Sequence, residues 1–464
     1  MLVPGLEIST EDSQVLPYAV DSWPLTLKWT DEEIGEHTPA GVVRVHDASD
    51  LPRLMHWANA ERVSIVPVAG RSSVTGASIP GSTGMLSVDL APLNHILKFD
   101  DVSGYVTVEA GVVGGELESY LNGRGFTLGH YPQSLSISTV GGWIGTLSSG
   151  TYSAKYGGIE RLLKGCDVVL PNGSEISLKA QPRSAGGPWL PALMLGAEGS
   201  MGIVTRATLQ SRRIPEATAF QTYALPDIHV GLDLAKAMFD RHCEPALLRL
   251  YDSTESSHLY ASIGLDRCEP LLLVGHQGER RIVETSQEVV SGIAASNRAI
   301  SLGPEIAETW SRGRYRADWI ERGNSADNLL ADSIEIAATW NVLETIYDDV
   351  MAVIRPFCRE AMAHWSHFYP DGSGMYVIFE LENSDRDQLI SDYERVWDHV
   401  LTVSAQHGGT LSHHHGIGLV RAERLRIELG TSYDLLEKVK AAIDPNGIMN
   451  PGKLGLPGNT DSAR

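Results

Sequence analysis

The sequence predicts an α+β protein, and three observations carry that prediction. The stretch 132–160, PQSLSISTVGGWIGTLSSGTYSAKYGGIE, is rich in glycine, serine and threonine and makes a poor amphipathic helix and a poor ordinary strand. A strand-like run at 63–68 feeds directly into a second glycine loop, AGRSSVTG at 69–76. Beyond residue 216, helical patterns at 227–240, 278–296, 332–354 and 384–405 alternate with strand patterns at 246–252, 270–275, 361–368 and 375–381. That alternation implies an antiparallel sheet flanked by helices.

In chain order, residues 1–40 carry few periodic signals and are expected to cover the surface of another domain. A short strand at 42–45 leads to Ser49 or Asp50 as N-cap, and Leu51, Leu54, Met55 and Ala58 form one apolar helix face. Strands follow near 85–90 and 105–110, then a helix at 114–121 closed by Gly123 or Gly125. The runs 166–170 and 175–178 flank Pro171-Asn172-Gly173, a hairpin signal. A strand at 202–210 precedes a boundary at 212–215. Three regions result: an N-terminal ligand-binding domain at 1–215, a cap domain at 216–405, and a segment at 406–464 with short helices near 421–429 and 432–442.

Bulk properties narrow the function classes. The chain has 464 residues, of which 42% are apolar, enough for two or three domains. Lys and Arg total 37 against 58 Asp and Glu, a net charge of −21 that disfavours nucleic acid and anionic membranes as partners. Cys166, Cys243, Cys268 and Cys358 are widely spaced and form no CxxC pair, which fits a reducing cytoplasm. The first residues lack a basic-then-apolar run and no window of eighteen apolar residues exists, so neither export nor integration into a membrane is expected. A small molecule is the expected partner, with a homodimer as a candidate assembly.

The glycine loops read as a binding surface. Gly141 and Gly142 let the main chain approach a ligand, and the hydroxyls of Ser138, Thr139, Thr146 and Ser149 can join backbone amides in holding phosphate oxygens. Val140, Trp143, Ile144 and Leu147 are too apolar for an unstructured exposed segment. A third glycine-rich turn, LGAEGSMGIVT, stands at 195–205.

Three such loops in this order resemble the bipartite, PCMH-type FAD-binding domain of the vanillyl-alcohol oxidase superfamily. Further passages narrow the resemblance to alkyldihydroxyacetonephosphate synthase and its bacterial homologues. These are the second loop, Glu244-Pro245-Ala246 leading to Arg249, the text at 335–340, Gly374-Met375-Tyr376, and Ser412-His413-His414-His415-Gly416. The resemblance spans roughly residues 40 to 455 and implies FAD as cofactor. It places the FAD contacts at Val68, Ala69, Gly70, Arg71, Ser72, Ser73, Gly76 and Ala77 in the first loop. The second loop contributes Pro132, Ser134, Ser138, Thr139, Gly141, Gly142, Thr146, Ser149 and Gly150, and the third Glu198, Gly199, Gly202, Ile203 and Val204. Members that bond FAD covalently through the first loop carry a histidine where Ser72 stands, so non-covalent FAD is expected. Arg71 departs from the usual glycine.

By the same resemblance His413, His414, His415, Tyr376 and Arg249 form the active site. In an extended stretch His413 and His415 would share one side and His414 take the other. A free phenol has a pKa near ~10, so Tyr376 acting as a base requires a cation such as Arg249 or protonated His415. Other readings stay open: Tyr376 as an ordinary strand aromatic, Arg249 or Glu335 as a structural ion-pair member, and Arg312, Arg314 and Arg316 as a solvated face. The 2-hydroxyacid dehydrogenase branch binds a divalent metal at corresponding passages, but here Tyr376 replaces a histidine ligand and His414 replaces a glutamate. With His367, Tyr376 and His414 offering no carboxylate, no metal is expected. The implied reaction is exchange of an acyl group for an alcohol at a small anionic substrate without net redox. The alternative is an oxidase or dehydrogenase of a 2-hydroxy acid or alcohol, with hydride transfer to flavin, and a third reading is a flavin-binding protein with a degenerate pocket.

Overall fold

A computed structural model of the chain describes residues 6–315 and 318–458 and divides them into two compact units. Arg316 and the last six residues lie outside the described residues. Unit 1 comprises the chain up to Ser149, then Gly158–Arg213, then the chain from His414; unit 2 comprises Gly150–Gly157 and Ile214–His413. The fold class is α+β, as expected.

Unit 1 holds two principal sheets. In the first, β1 (Ile8–Ser9), β2 (Gly41–Arg44), β4 (Leu86–Asp89) and β3 (Ile65–Val68) lie in that order, with β2, β4 and β3 parallel. Nearly continuous burial along these strands is the mark of a parallel sheet covered on both faces. The helix Leu51–Glu61 covers one face with the predicted Leu51, Leu54, Met55 and Ala58. Its start differs from expectation: Asp47, not Ser49 or Asp50, supplies the capping carboxylate, and it caps a leading 3-10 turn at Ala48–Asp50. The first forty residues also differ. They belong to unit 1, where β1 pairs with β2, Val15 and Tyr18 join Val42, Val66, Val68 and Met85 in a core, and Tyr18 donates to Asp89 at 2.7 Å.

The second sheet runs β5 (Ile96–Asp100), β6 (Tyr105–Glu109), β10 (Ile203–Gln210), β8 (Leu163–Val169), β9 (Glu175–Leu178), all antiparallel, and β7 (Phe126–Thr127) pairs with β11 (Arg212–Arg213). The predicted hairpin joins β8 to β9, with Gly173 at φ 84° and the Asn172 side chain accepting from Ser174 N at 2.9 Å. The central stretch is not a loop throughout. Val140–Thr146 is a helix, capped by Thr139 and buried through Val140, Trp143 and Ile144, because a cap and an apolar side outweigh three glycines within it.

Unit 2 is one seven-stranded antiparallel sheet: β15 (Ile300–Gly303), β12 (Ala217–Ala224), β14 (Leu271–Gly278), β13 (Leu247–Tyr251), β17 (Glu360–Tyr369), β18 (Gly372–Glu382), β16 (Leu329–Thr339). Helices Ile228–Asp240, Arg280–Ser296 and Arg386–Gln406 stand where expected. The helix predicted at 332–354 starts only at Trp340; its first part is strand β16. Both faces of β16 are buried, and an apolar run buried all round has no period that separates strand from helix. Trp365 packs on Tyr347 and Phe379 on Tyr393, so these alternate positions face the helices Trp340–Ile354 and Arg386–Gln406 and their neighbours face the other side of the sheet.

Gly231, in the helix Ile228–Asp240, packs so close to β13 that an added Cβ would lie 2.7 Å from Leu225 and closer still to Leu250. Gly231→Val is expected to cost about 1–3 kcal/mol through overpacking, read as a lowered calorimetric transition.

Candidate active site

In unit 1 the three glycine loops converge. A Cβ on Gly70 would collide with the Ile137 carbonyl, and one on Gly199 would lie 2.9 Å from Pro67, so the second and third loops both pack against the end of β3 and its loop. The third loop also bonds the central helix through Glu198 N to Gly145 O at 2.8 Å. Ser73 Oγ accepts from the amides of Thr75 and Ala77 at 3.2 and 3.1 Å, which curls the first loop. The amides of Gly70, Arg71, Ser72, Ser73 and Val74 donate to no other described residue. Consecutive main-chain donors in a loop leaving a strand are the chemistry that holds a diphosphate, so these residues fit FAD. Arg71 adopts φ 49°, the left-handed conformation that glycine would supply freely. The N-terminal segment holds it there: its guanidinium donates to Pro17 O and lies 5.0 Å from the Tyr18 ring centre, and Ser22 Oγ donates to Arg71 O at 3.2 Å.

Several other predicted contacts have a local occupation. Gly141 donates to Ala110 O at 2.7 Å, and a Cβ there would sit 2.9 Å from the Ala110 methyl, so its lack of a side chain serves helix-to-strand packing. Ser138 Oγ accepts from Trp143 Nε1 at 2.9 Å, Thr139 Oγ1 caps Gly142 at 3.4 Å, and Thr146 donates to Gly142 O at 3.1 Å. Pro132 and Ser134 supply carbonyls that close the turn 132–138. Ile203 and Val204 are strand residues of β10, Gly202 takes φ 153° at its start, Ser149 ends a unit 1 segment, and Gly150 belongs to unit 2.

Glu198 is buried and, at φ 48°, points its carboxylate at the segment after the histidine triplet: Oε1 accepts from Ile417 N at 2.6 Å and Gly418 N at 3.0 Å. Burial pushes its pKa up, opposed first by these amides and then by Lys453 and Arg421. A carboxylate so occupied ties the third loop to the segment 416–418. Thr75 Oγ1 reaches His415 O at 3.3 Å, and Thr75 O accepts from Leu419 N at 2.8 Å. The triplet runs through bends, not a strand. His414 and His415 rings meet edge to face at 4.6 Å, which the alternation of a strand would forbid.

In unit 2 the chemistry-bearing residues form one row across the sheet. Register places Tyr251 opposite His364, His364 opposite Tyr376, and Tyr376 opposite Glu335, all on the face opposite the helices Trp340–Ile354 and Arg386–Gln406. Arg249 stands two residues before Tyr251 on the same face; its Nε donates to Tyr251 Oη at 2.8 Å and its Nη2 lies 2.8 Å from His364 Nε2. His364 Nδ1 lies 2.8 Å from Glu255 Oε2, and the His364 and Tyr376 rings stack at 4.6 Å. Glu335 is fully buried, accepting from Ser412 Oγ at 2.8 Å and from the His413 amide. His413 lies over Gly374, where a Cβ would be 3.4 Å from the ring, and its Nε2 is 2.8 Å from Tyr369 Oη. His367 occupies a β-bulge at φ 59°, 5.0 Å ring to ring from His413, with Nδ1 2.7 Å from Ser366 Oγ.

The electrostatics revise the expected roles. Burial, with Glu335 adding to it, pushes the Tyr376 phenol well above its usual value and outweighs Arg249, so Tyr376 is a neutral hydroxyl and not a phenolate. Burial lowers the His413 pKa against Glu335, leaving a neutral imidazole. Tyr369, His364 and Glu255 were missed as site residues. Tyr369 lies two residues after His367, while nothing local marks Glu255. In unit 1, His130 is buried against Trp143 with both ring nitrogens unpartnered, and burial pulls its pKa down to about 3.

A family model described as FAD binding domain matches residues 39–179, and one described as FAD linked oxidases, C-terminal domain, matches residues 214–454. An FAD-linked oxidoreductase of Escherichia coli K12 is 28% identical over 436 residues, 90% of this chain and 89% of that protein. Alkyldihydroxyacetonephosphate synthase of Dictyostelium discoideum is 28% identical over 456 residues, 90% of this chain and 74% of that one. A solved structure of an alkyldihydroxyacetonephosphate synthase superposes with a TM-score of 0.80 at 26% identity, covering 98% of this chain and 84% of that one. Among the described residues no helix is long and apolar enough to cross a membrane.

With serine at position 72, acid precipitation of the flavin-loaded protein should leave a colourless pellet and put all flavin absorbance in the supernatant; yellow protein would contradict this. The His130 pKa lies below its ordinary 6.5 in the folded chain, so the unfolded state takes up the proton first as pH falls. Stability is therefore expected to fall between pH ~6.5 and ~3 by up to about 1.4 kcal/mol per pH unit from this group. The denaturant midpoint of wild type should fall relative to that of His130→Phe as pH drops through this range, with the variant's own profile the flatter; parallel profiles would contradict this.

Proposed function

This chain belongs to the family of FAD-linked oxidases and is an FAD-dependent oxidoreductase-family enzyme; we propose that it acts on a small anionic, oxygen-substituted substrate by removing a proton beside the oxygen-bearing carbon. The observation that carries the reading is the row Arg249–His364–Tyr376–Glu335, with His413 over Gly374 at its edge. Arg249 makes no ion pair with a carboxylate among the described residues, so its charge is available to a substrate carboxylate or phosphate. The neutral His413 imidazole takes the proton, and Tyr369 holds the ring through its hydroxyl. Tyr376, kept protonated, donates to the substrate oxygen. FAD, when bound, supplies the ring that accepts the substrate carbon in an exchange or the hydride in an oxidation.

The first reading is the exchange that the resemblance to alkyldihydroxyacetonephosphate synthase implies: an acyl group leaves as its carboxylate, an alcohol takes its place, and no net oxidation occurs. Similarity along 90% of the chain supports it. The second is oxidation of a 2-hydroxy acid or alcohol, in which the hydroxyl proton goes to His413; the family's description as oxidases supports it.

Anaerobic mixing of the flavin-loaded protein with 2-hydroxy acids and alcohols, and separately with acyl-dihydroxyacetone phosphate plus a fatty alcohol, discriminates them. Bleaching selects oxidation; ether formation with the flavin oxidised selects exchange. Under either, Arg249→Met should lower kcat/KM by about 10²-fold or more, the range for truncating one partner of a buried charge pair. An unchanged kcat/KM in that variant would remove the anionic-substrate reading.

A further inference from the structure

We propose that Glu255 and His364 act as a positioning pair that fixes the Arg249 guanidinium for the anionic group of the substrate. The inference rests on the reading of Arg249 as the anion anchor and adds how that anchor is aimed.

A guanidinium has donors only and keeps its proton. The 2.8 Å contact from Arg249 Nη2 to His364 Nε2 therefore requires that Nε2 be the acceptor, and the neutral ring then carries its proton on Nδ1. That is the nitrogen 2.8 Å from Glu255 Oε2. The two contacts select one tautomer, and the carboxylate–imidazole–guanidinium series is complete with every proton placed.

The fold builds this series deliberately. Asp252, directly after β13, caps the helix Ser253–Ser262 by accepting from Glu255 N at 2.9 Å, and its other oxygen accepts from Ala363 N at 2.8 Å. One buried carboxylate thus pins the first turn of the helix to the strand residue preceding His364, which sets Glu255 beside the ring. Tyr251 holds Arg249 Nε at 2.8 Å, and the Trp310 ring centre lies 5.0 Å from the guanidinium carbon. Nε and Nη2 are thereby engaged, while Nη1 makes no bond to another described residue.

Interposing an imidazole matters for charge. A carboxylate bonded directly to Arg249 would neutralise it and compete with an anionic substrate. Elsewhere the chain uses the direct arrangement where a buried cation is structural: Lys440 Nζ meets Asp444 at 2.6 Å. At Arg249 the Glu255 carboxylate acts through a neutral ring, so the guanidinium is oriented and keeps its charge.

The test is titration calorimetry of the flavin-loaded protein with oxalate and, separately, inorganic phosphate, on wild type, Arg249→Met, Glu255→Leu and Glu255→Gln, with flavin content as the folding control. Expected are binding of at least one anion by wild type, its loss in Arg249→Met, and weakening by about ten- to hundredfold in Glu255→Leu. Glu255→Gln, which still accepts from Nδ1–H, should bind within about threefold of wild type, a rescue that a purely structural ion pair would not show. Wild-type affinity in Glu255→Leu overturns the positioning pair and leaves the anchor standing. Failure of wild type to bind either anion, or undiminished binding by Arg249→Met, overturns the anchor and the pair with it. Should Glu255→Leu yield no flavin-loaded protein, Glu255→Asp, one methylene shorter, is read in its place, and unchanged affinity there also overturns the pair.

Discussion

A buried carboxylate with no water to solvate it must be given hydrogen bonds, and Glu198 receives them from the backbone of Ile417 and Gly418. That requirement organises unit 1. It draws the segment following the histidine triplet onto the third glycine loop. Asn450 donates to Ala77 O and Glu198 O, and the buried Lys453 ammonium donates to Ile79 O at 2.6 Å, so the C-terminal end closes on the same point. Gly416 and Gly418 carry positive φ, and a Cβ at either would strike Glu198 or Thr75; the turn exists because nothing larger fits there. The loops for FAD and the backbone of His414 and His415 are thus fixed by one buried cluster.

How much of this was written locally in the chain can be judged from particular residues. The Pro171-Asn172-Gly173 turn was legible because its chemistry is self-contained, and the three glycine loops were legible because glycine marks close approach. What is approached was not. Gly141 yields to Ala110, and Gly70 to the Ile137 carbonyl, partners about thirty and sixty-seven positions away whose nearness is a property of the sheet. Arg71 shows the reverse. A residue unsuited to the left-handed region sits there because Pro17, Tyr18 and Ser22 hold it, and no rule applied to residues 69–76 alone could foresee that.

The candidate site of unit 2 was partly visible for a similar reason. Tyr376, Arg249 and Glu335 were singled out one by one, yet their adjacency depends on the order β13, β17, β18, β16, in which the last strand of the row is not the last in sequence. Sheet order also decides that Glu335 adds to burial in holding the Tyr376 proton, which reverses the expectation that nearby cations would draw a phenolate from it. Glu255 lies on a helix with no strong apolar face, and only the Asp252 contacts to both helix and strand give it a destination.

The bulge at His367 has a consequence for inheritance. Before it, even-numbered residues of β17 point to the substrate side, as His364 does; after it the parity inverts, so Tyr369 pairs with Gly372 and reaches His413 while Phe368 turns to stack on Trp340. Deletion of the His367 codon would remove the bulge and its imidazole while leaving Phe368 opposite Ser373 and Tyr369 opposite Gly372, so the phenol would keep its place in front of His413. Lineages could gain or lose the second imidazole of this surface through the length of one strand, with both aromatic side chains staying on their own sides of the sheet.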